Sequence, residues 1–583
     1  MSKGWKRANM FGATNKNDTQ NKQIYRTSLS LFRTIFVTDL TLLIITKLPG
    51  LMKKFHMFHI LLVISVLYQC KSSSIPAKKP NILFAVMDDV TYKHMGIYGC
   101  NWVRTPNFDR IAKNGLLFTR AYTNNAKCAP SRANILTGRN SWQLEEAANH
   151  WPHFPQKFVS FVEVLAKNGY QVAYTGKGFA PAVTKDAHGK NRDLLIRPYN
   201  TIKTLPPTPN ISNVDYAANF EAFLSEQKDN KLPFFFWYGG LEPHRGYEYG
   251  SGTIKGNKKI TDLKQKDIFS FFPDNDSVRT DLLDYAFEIE YFDLQLGKML
   301  DKLQEIGELN NTLIVVTSDN GMSFPRVKGQ AYEYSNHLPL AMMWADGIQS
   351  PGRTVDSYMS FIDFAPTFLE LAHIEQQNTN MQPITGSSLV TILENDPVEN
   401  RDNFVLIGKE RHDIGRPHDQ GYPIRGIVQD NMLYIHNFKP ERWPAGNPET
   451  GYPNTDGSPT KSVILRKVHT PQEAFFWEWS FGKRPQEEFY NLQTDPECLH
   501  NLMGDSSYSK QYRNMKELLF TKLREQQDPR ILGHGDVFEL YKYGDSRNEN
   551  FYERYLNHDK KLNWGWINDT DFQDLSTVPY IQK

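Results

Sequence analysis

Cys128-Ala129-Pro130-Ser131-Arg132-Ala133-Asn134-Ile135-Leu136-Thr137-Gly138-Arg139 is the stretch from which the rest of the chain is read. Pro130 suits the first turn of a helix, where a missing backbone N–H costs nothing. Ala133, Ile135 and Leu136 continue an apolar pattern behind it, so Cys128 is expected just before a helix N-terminus. Unpaired N–H groups and the positive end of the helix dipole gather at such a place and suit an anion. Arg132 adds a fixed positive charge beside the cysteine. A cysteine alone in this position reads as a buried free thiol that packs like a small hydrophobe; Pro, Ser and Arg in register behind it favour a chemical role.

Around this stretch, apolar runs alternate with helical segments. Ile82 to Met87, Gln171 to Tyr174, Leu232 to Tyr238 and Thr312 to Thr317 read as strands. Pro106 to Asn114, with Thr105 as N-cap and Gly115 as its stop, reads as a helix, as do Phe161 to Lys167 and Asp281 to Ile306. Short apolar strands separated by helices predict an α/β fold with a mostly parallel sheet covered on both faces. Chemistry in such sheets gathers at the carboxyl ends of the strands. Polar groups follow four of them: Asp88-Asp89, Lys177, Glu242-Pro243-His244-Arg245 and Ser318-Asp319-Asn320-Gly321. Each set alone is an ordinary loop carboxylate or a satisfied histidine; the four together, with Cys128, are hard to explain as loops.

The Cys128 stretch resembles the signature of the type I sulfatases, whose cysteine is oxidised after synthesis to Cα-formylglycine. The similarity runs through most of residues 80–525 and includes Ser360-Phe361-Ile362-Asp363-Phe364-Ala365-Pro366-Thr367 and Glu488-Phe489-Tyr490-Asn491-Leu492-Gln493-Thr494-Asp495-Pro496-Glu497. Glu242-Pro243-His244-Arg245, the run from Asp319 to Lys328 and Pro423-Ile424-Arg425 are most similar to the heparan N-sulfatase (sulfamidase) branch and its bacterial polysaccharide-sulfatase relatives. The resemblance implies an alkaline-phosphatase-like sulfatase fold: a large, mostly parallel sheet flanked by helices, with a smaller C-terminal antiparallel-sheet subdomain. It implies that Cys128 becomes formylglycine, whose hydrated aldehyde attacks sulfur with one hydroxyl and later expels sulfate with the other. A formylglycine-generating or other sulfatase-maturating enzyme is then a required partner. Carried over position by position, Arg132, Lys177, His244 and Lys328 hold the sulfate and the leaving oxygen, with His244 as general acid.

Asp88, Asp89, Asp319 and Asn320 offer hard oxygen donors without the histidine or thiolate ligands that zinc favours. The expected metal is one calcium ion, with magnesium as the alternative, and the formylglycine oxygen at Cys128 completes its shell. Asn320 also separates the chain from phosphatases and phosphodiesterases of the same fold, in which a histidine commonly follows the aspartate. One position departs from the family pattern Gly-Lys-x-His: this chain reads Gly176-Lys177-Gly178-Phe179. Phe179 cannot take a proton, so proton removal during sulfate release passes to another group. His188 and His337 are candidates, against the more ordinary reading of each as a hydrogen-bonded structural residue. His150, His153, Trp142 and Trp151 either shape a sugar site or pack as aromatics.

With 583 residues, 40% of them hydrophobic and 23% charged, the chain can bury a large core and hold more than one domain. Its net charge of +2 includes no dense basic run of the kind a nucleic-acid binder needs. Cysteines at 70, 100, 128 and 498 are too few for a disulfide scaffold. Met52-Lys53-Lys54 and the apolar run Phe55 to Tyr68, ending at Leu67-Tyr68-Gln69-Cys70, resemble a bacterial lipoprotein signal. Cys70 is then a lipidated N-terminus, and the protein is exported and membrane-anchored, periplasmic or at the cell surface. The expected organisation is an N-terminal extension and signal over 1–70, with Met52 as the start, and a linker over 71–79. A catalytic domain over 80–399 is followed by a subdomain over 400–525 and a tail over 526–583. Phe404 to Ile407, Ile424 to Val428 and Met432 to His436 read as strands of the subdomain; the aromatic run Ala474 to Phe481 reads as packing in preference to a sugar platform.

The function this supports is hydrolysis of sulfate esters on a sulfated polysaccharide or its oligosaccharides, such as ulvan, carrageenan or a glycosaminoglycan. N-sulfoglucosamine hydrolysis stays open through the branch resemblance. Two further readings are a formylglycine-dependent phosphoester hydrolase and, motivated by Phe179, an inactive sulfated-glycan-binding protein.

Overall fold

The computed structural model describes residues 78–227, 232–395, 401–574, 576 and 578; Cys70, the run before it and the linker as far as residue 77 lie outside the described residues. The main sheet contains β1 (Asn81–Met87), β2 (Leu116–Phe118), β3 (Gln171–Gly176), β4 (Phe234–Gly239), β5 (Thr312–Ser318), β6 (Leu340–Met343) and β7 (Arg353–Val355). Among the described residues their order across the sheet is β7-β2-β6-β5-β1-β4-β3. Every pairing is parallel except those of β6, which runs antiparallel to both neighbours.

Helices cover both faces. On one side, Leu83, Ala85, Phe236, Tyr238, Ile314 and Val316 meet Phe220 and the face of a 30-residue helix, Asp276–Glu305, that carries Leu282, Ile289 and Leu296. On the other, Ile82, Phe84, Val86, Phe235, Trp237, Leu313 and Val315 meet Ile135, Phe161, Leu165, Phe364 and Phe368. Alternate residues of each strand therefore enter different cores, and the strands read as unbroken apolar runs. Element limits differ from expectation where local chemistry intervenes. β4 begins at Phe234 and not at Leu232, which is 48% exposed and precedes Pro233, a residue with no N–H for the ladder. The long helix starts earlier than Asp281, at a cap where the Asn275 side chain accepts from the Ser277 and Val278 N–H groups. Thr105 does not cap Pro106–Asn114; its hydroxyl accepts from Gly96 N–H at 2.9 Å. Gly115, with φ −144°, passes straight into β2 instead of closing the helix in the left-handed region.

Register decides where the loops emerge. Met87 faces Ser318, Val86 faces Gly239, and Gly239 faces Gly176. The central strands thus end at one level, and Asp88-Asp89, Asp319-Asn320, Lys177 and the loop to His244 leave the sheet side by side. The crossing of β3 and β4 requires glycine. A Cβ on Gly176 would sit 1.9 Å from the Gly239 carbonyl oxygen, and one on Gly239 would sit 1.9 Å from the Lys177 carbonyl oxygen. Gly176 also holds φ +75°.

The subdomain sheet pairs β8 (Phe404–Lys409), β9 (Ile424–Gln429), β10 (Met432–Asn437) and β11 (Glu487–Asn491), antiparallel and in that order. Val405, Ile407, Ile424, Leu433 and Ile435 cluster with Tyr122, Tyr332 and Tyr358 of the main body. Leu406, Ile427, Met432 and Phe489 lie on the other face with Met515, Leu519 and Leu523 of helix Ser509–Glu525. The aromatic run 474–481 packs: Trp477 and Phe481 belong to the core, and Trp477 Nε1 donates to the Tyr452 hydroxyl at 3.2 Å. Trp142 and Trp151 pack as well, the first under the Arg425 guanidinium and the second against Tyr543. Residues beyond 526 carried no legible periodicity, yet they fold back on the body. Tyr543, Phe551 and Leu562 cluster with Ile414, and Asp571 meets buried Lys461 Nζ at 3.0 Å.

Arg425 anchors this return. Its buried guanidinium reaches Glu410 at 2.7 Å and Asp528 at 2.7 Å. Arg425→Ala leaves Asp528 buried without its cation and Glu410 with Arg530 alone, so a stability loss of about 3 kcal/mol is expected. Chemical denaturation measures it; a loss below about 1 kcal/mol would mean that water replaces the guanidinium at no cost.

Candidate active site

The helix Cys128–Thr137 has all ten residues buried, and Cys128 is its first residue rather than the one before it. The signature residues pin this helix to the strand ends. Ser131 Oγ donates to the Asp319 carbonyl at 2.5 Å, and Arg132 Nε donates to Asp319 Oδ2 at 2.8 Å. Arg132 Nη1 donates to the carbonyls of Lys177 and Gly178 at 3.0 and 2.9 Å, while its Nη2 is buried with no partner. Gly138 ends the helix at φ 68°.

Cys128 Sγ lies 3.4 Å from Asp88 Oδ1 and 4.0 Å from Asp89 Oδ1. One side-chain atom from each of Asp88, Asp89, Cys128 and Asp319 falls within 4.8 Å of all the others, and all four residues are buried. Asp89 has φ 79°, an unfavourable value for a non-glycine residue, and its N–H donates to Asp319 Oδ1 at 3.2 Å. Asn320 Nδ2 donates to Asp89 Oδ1 at 2.6 Å, leaving its own Oδ1 buried without a partner. Lys177 Nζ reaches Asp88 Oδ2 at 2.5 Å, and Lys328 Nζ reaches Asp89 Oδ2 at 2.6 Å. His244 joins the group, with a ring nitrogen within 4.8 Å of Asp88 and Cys128 atoms. Its Nδ1 sits 2.6 Å from the Arg245 carbonyl, an acceptor, so Nδ1 carries a proton and Nε2 is left for the reaction centre. The structure therefore brings together Cys128, Arg132, Lys177, His244, Lys328, Asp88, Asp89, Asp319 and Asn320.

Sequence reasoning missed one charge at this site. Asp456, from the loop Asn454-Thr455-Asp456-Gly457, is buried with Oδ2 3.0 Å from Lys328 Nζ. It follows no strand of the main sheet and looks like an ordinary turn aspartate. Behind the Cys128 helix, Asp413 joins Lys127 Nζ at 2.6 Å and His150 Nδ1 at 2.7 Å, and Asn125 Oδ1 lies 2.7 Å from His412 Nε2. Four carboxylates, Asp88, Asp89, Asp319 and Asp456, thus face three permanent cations. Burial, then the nearby Asp88 carboxylate, pushes Asp319 up to about 7. Burial also opposes ionisation of Asp88, yet Lys177, with His244, Arg132 and Lys328, holds its pKa well below the usual carboxylate range. Burial raises the Cys128 thiol well above its ordinary value, against the pull of Lys177.

The histidines expected to replace the missing proton acceptor are elsewhere. His188 is exposed in a surface turn closed by Asp186. His337 is buried between the rings of Tyr92 and Tyr122, at 3.8 and 4.6 Å, and bonds Glu333 through Nδ1 at 2.6 Å. Phe179 packs edge-on against Phe154 at 5.0 Å, inside an apolar cluster. His153 is exposed.

A mostly parallel, helix-covered sheet whose strand ends gather a cysteine, three aspartates and three cations defines a hydrolase of the alkaline-phosphatase-like class. The family described as Sulfatase matches residues 80–374, and the chain belongs to that family; it is a sulfuric ester hydrolase. It is 27% identical over 464 residues to an ulvan-active sulfatase of Formosa agariphila, covering 79% of this chain and 82% of that protein. It is 25% identical over 498 residues to human N-sulphoglucosamine sulphohydrolase, covering 79% of this chain and 93% of that one. A protein solved in complex with its substrate D-glucosamine-2-N,6-O-disulfate shares the fold, with a TM-score of 0.53 and 21% identity over 77% of this chain and 99% of that one.

The placement of the histidines gives a direct expectation. His188→Ala leaves sulfate-ester turnover within about twofold of the parent, because its ring touches no part of the site. His337→Ala lowers thermal stability, as a truncated buried ring should, without accumulation of covalently sulfated enzyme in rapid-quench mass spectra. Accumulation in either variant would return that histidine to the release step.

Proposed function

We propose that this chain hydrolyses sulfate esters on a sulfated polysaccharide or its oligosaccharides, using formylglycine at Cys128 and one calcium ion. The observation that carries this reading is the position of Cys128: first residue of a helix, 3.4 Å from Asp88, with a thiol that burial keeps protonated. A protonated, enclosed thiol is a poor nucleophile; converted to an aldehyde hydrate, the same position supplies a hydroxyl for attack and a second for release. The residues fit a hard divalent cation. The Asn320 Oδ1 is orphaned and the Asp88, Asp89 and Asp319 carboxylates crowd one point, so oxygen donors outnumber the one ring nitrogen, that of His244, lying near them. Asp88, Asp89, Asp319 and Asn320 would hold the ion, which when bound polarises the sulfuryl oxygens.

The chain's own cations do the rest. Arg132, Lys177 and Lys328 are fixed in advance by Asp319, Asp88, Asp89 and Asp456, so they meet negative charge on the sulfate without reorganising. His244 Nδ1–H holds the ring to the Arg245 carbonyl; in the imidazolium form, which burial and Lys328 disfavour, Nε2–H delivers a proton to the departing sugar oxygen. The ulvan-active and N-sulphoglucosamine-specific relatives support a sulfated glycan as substrate. The lipoprotein-like run ending at Cys70 supports an exported, membrane-anchored enzyme close to polymer outside the cytoplasm.

Protein produced with a maturation enzyme should show the thiol-to-aldehyde mass loss on its Cys128 peptide and release inorganic sulfate from at least one member of a panel of ulvan, carrageenan and glycosaminoglycan oligosaccharides. Activity from preparations holding only unmodified cysteine would overturn the proposal. Cys128→Ser keeps one hydroxyl and lacks the second, so it should retain a sulfo group and turn over at least about a thousandfold more slowly. Asp319→Ala should lose bound calcium by atomic absorption and nearly all activity while remaining folded; restoration of the chelated enzyme by zinc but not calcium contradicts the ligand argument.

A further inference from the structure

A cavity of about 800 Å³ opens beside His244, lined by Pro206 to Ser212, Leu241, Glu242, Arg245 and Glu288. It is large enough for one or more sugar rings. His244 belongs to both this cavity and the cluster of Asp88 and Cys128, so the cavity lies on the side to which the leaving oxygen departs. Another space of about 860 Å³ lies at the amino ends of the strands, lined by Asn81, Phe234 and Lys302, and shares no residue with the reaction centre.

Most charged groups of the His244 cavity are committed, Lys255 to Glu248 at 2.7 Å among them. Glu242 accepts from the Ser212 N–H and the Tyr216 hydroxyl, both at 2.8 Å, which ties the cavity wall to the end of β4. Arg245 spends its guanidinium on Asp281, at 2.6 and 2.9 Å, and on the Ser323 carbonyl. Glu288, on the long helix, differs. It is 2% exposed, and its Oε1 is buried with no hydrogen-bond partner. Burial and the neighbouring Glu242 hold its pKa well above the usual carboxylate range, as expected of a carboxyl short of donors. Leaving such a group unpaired destabilises the free protein. Leu205, 93% exposed, and Leu241, 40% exposed, add apolar surface to the lining.

We infer that Glu288 is a specificity residue that binds the sugar ring carrying the scissile sulfate, accepting a hydrogen bond from a hydroxyl or amine of that ring. The substrate class is accordingly a sulfated glycan whose ring presents a hydroxyl or amine where it meets Glu288. This rests on the sulfatase reading above and goes beyond it.

The test uses the formylglycine-bearing full chain with its preferred monosulfated sugar, and inorganic sulfate as a competitive inhibitor that reports on the reaction centre alone. Glu288→Leu removes the acceptor; Glu288→Gln keeps an acceptor of the same shape. The expected result for Glu288→Leu is a fall in kcat/KM on the monosulfated sugar of about tenfold or more, unchanged sulfate inhibition, and a thermal midpoint equal to or above the parent's. Glu288→Gln stays within about threefold of the parent on the same sugar. Equal activity of parent and Glu288→Leu on the monosulfated sugar, or a Glu288→Leu defect matched by weaker sulfate inhibition, overturns the assignment while leaving the sulfatase reading intact. A parent that releases sulfate from no sugar overturns the reading on which the assignment rests.

Discussion

The alignment of strand ends is the constraint on which the rest of the molecule depends. Because β1 and β5 pair with Met87 opposite Ser318, two acidic dipeptides leave the sheet at the same height and at strand spacing. Because Gly176 and Gly239 allow β3 and β4 to close without side chains between them, Lys177 arrives beside those carboxylates. The helix Cys128–Thr137 then locks across the gap through Ser131 and Arg132. Burying this many charges is costly unless each has a partner in fixed geometry. Here the partners are supplied in pairs: Arg132 with Asp319, Lys177 with Asp88, and Lys328 with both Asp89 and Asp456. A sheet slipped by one residue would break every pair at once.

The second half of the chain completes this cage instead of hanging from it. Asp456 adds a fourth carboxylate, and Asp413 neutralises Lys127, the residue before Cys128. The Gly408 N–H donates to the Asn124 carbonyl, and Asn124 Nδ2 donates to the Leu406 carbonyl, so the edge of the small sheet splints the loop leading into Cys128. The tail in turn holds that sheet through Asp528 on Arg425. Catalytic geometry and the stability of the C-terminal region are therefore the same physical problem.

Much of this was legible in the sequence because it is written in local signals. Apolar runs such as Asn81–Met87 and Thr312–Ser318 are buried on both faces and read without ambiguity, and the polar residues that follow them mark the site. Cys128 to Gly138 carries its own helix start, stop and packing residues. What could not be read depends on distant partners. Asp456 and Asp413 sit in loops whose meaning comes only from Lys328 and Lys127, far away in the chain. His188 and His337 look alike as letters, yet one faces solvent and the other is stacked between two tyrosines. Glu288 lies on a helix whose pattern gives no hint that this one acidic residue lines a cavity.

The charge count of the cage gives the account its sharpest consequence. With all four carboxylates ionised, three permanent cations leave one negative charge; a divalent cation turns this into one positive charge, which an anionic sulfate group then meets. Metal and sulfate should then bind cooperatively, each relieving the imbalance created by the other, and linkage requires the effect to be reciprocal. Calorimetric titration of calcium into the formylglycine-bearing protein, with and without saturating inorganic sulfate, measures this directly. The account predicts that sulfate tightens calcium binding by about tenfold or more; calcium affinity that is unchanged or weakened by sulfate would contradict it.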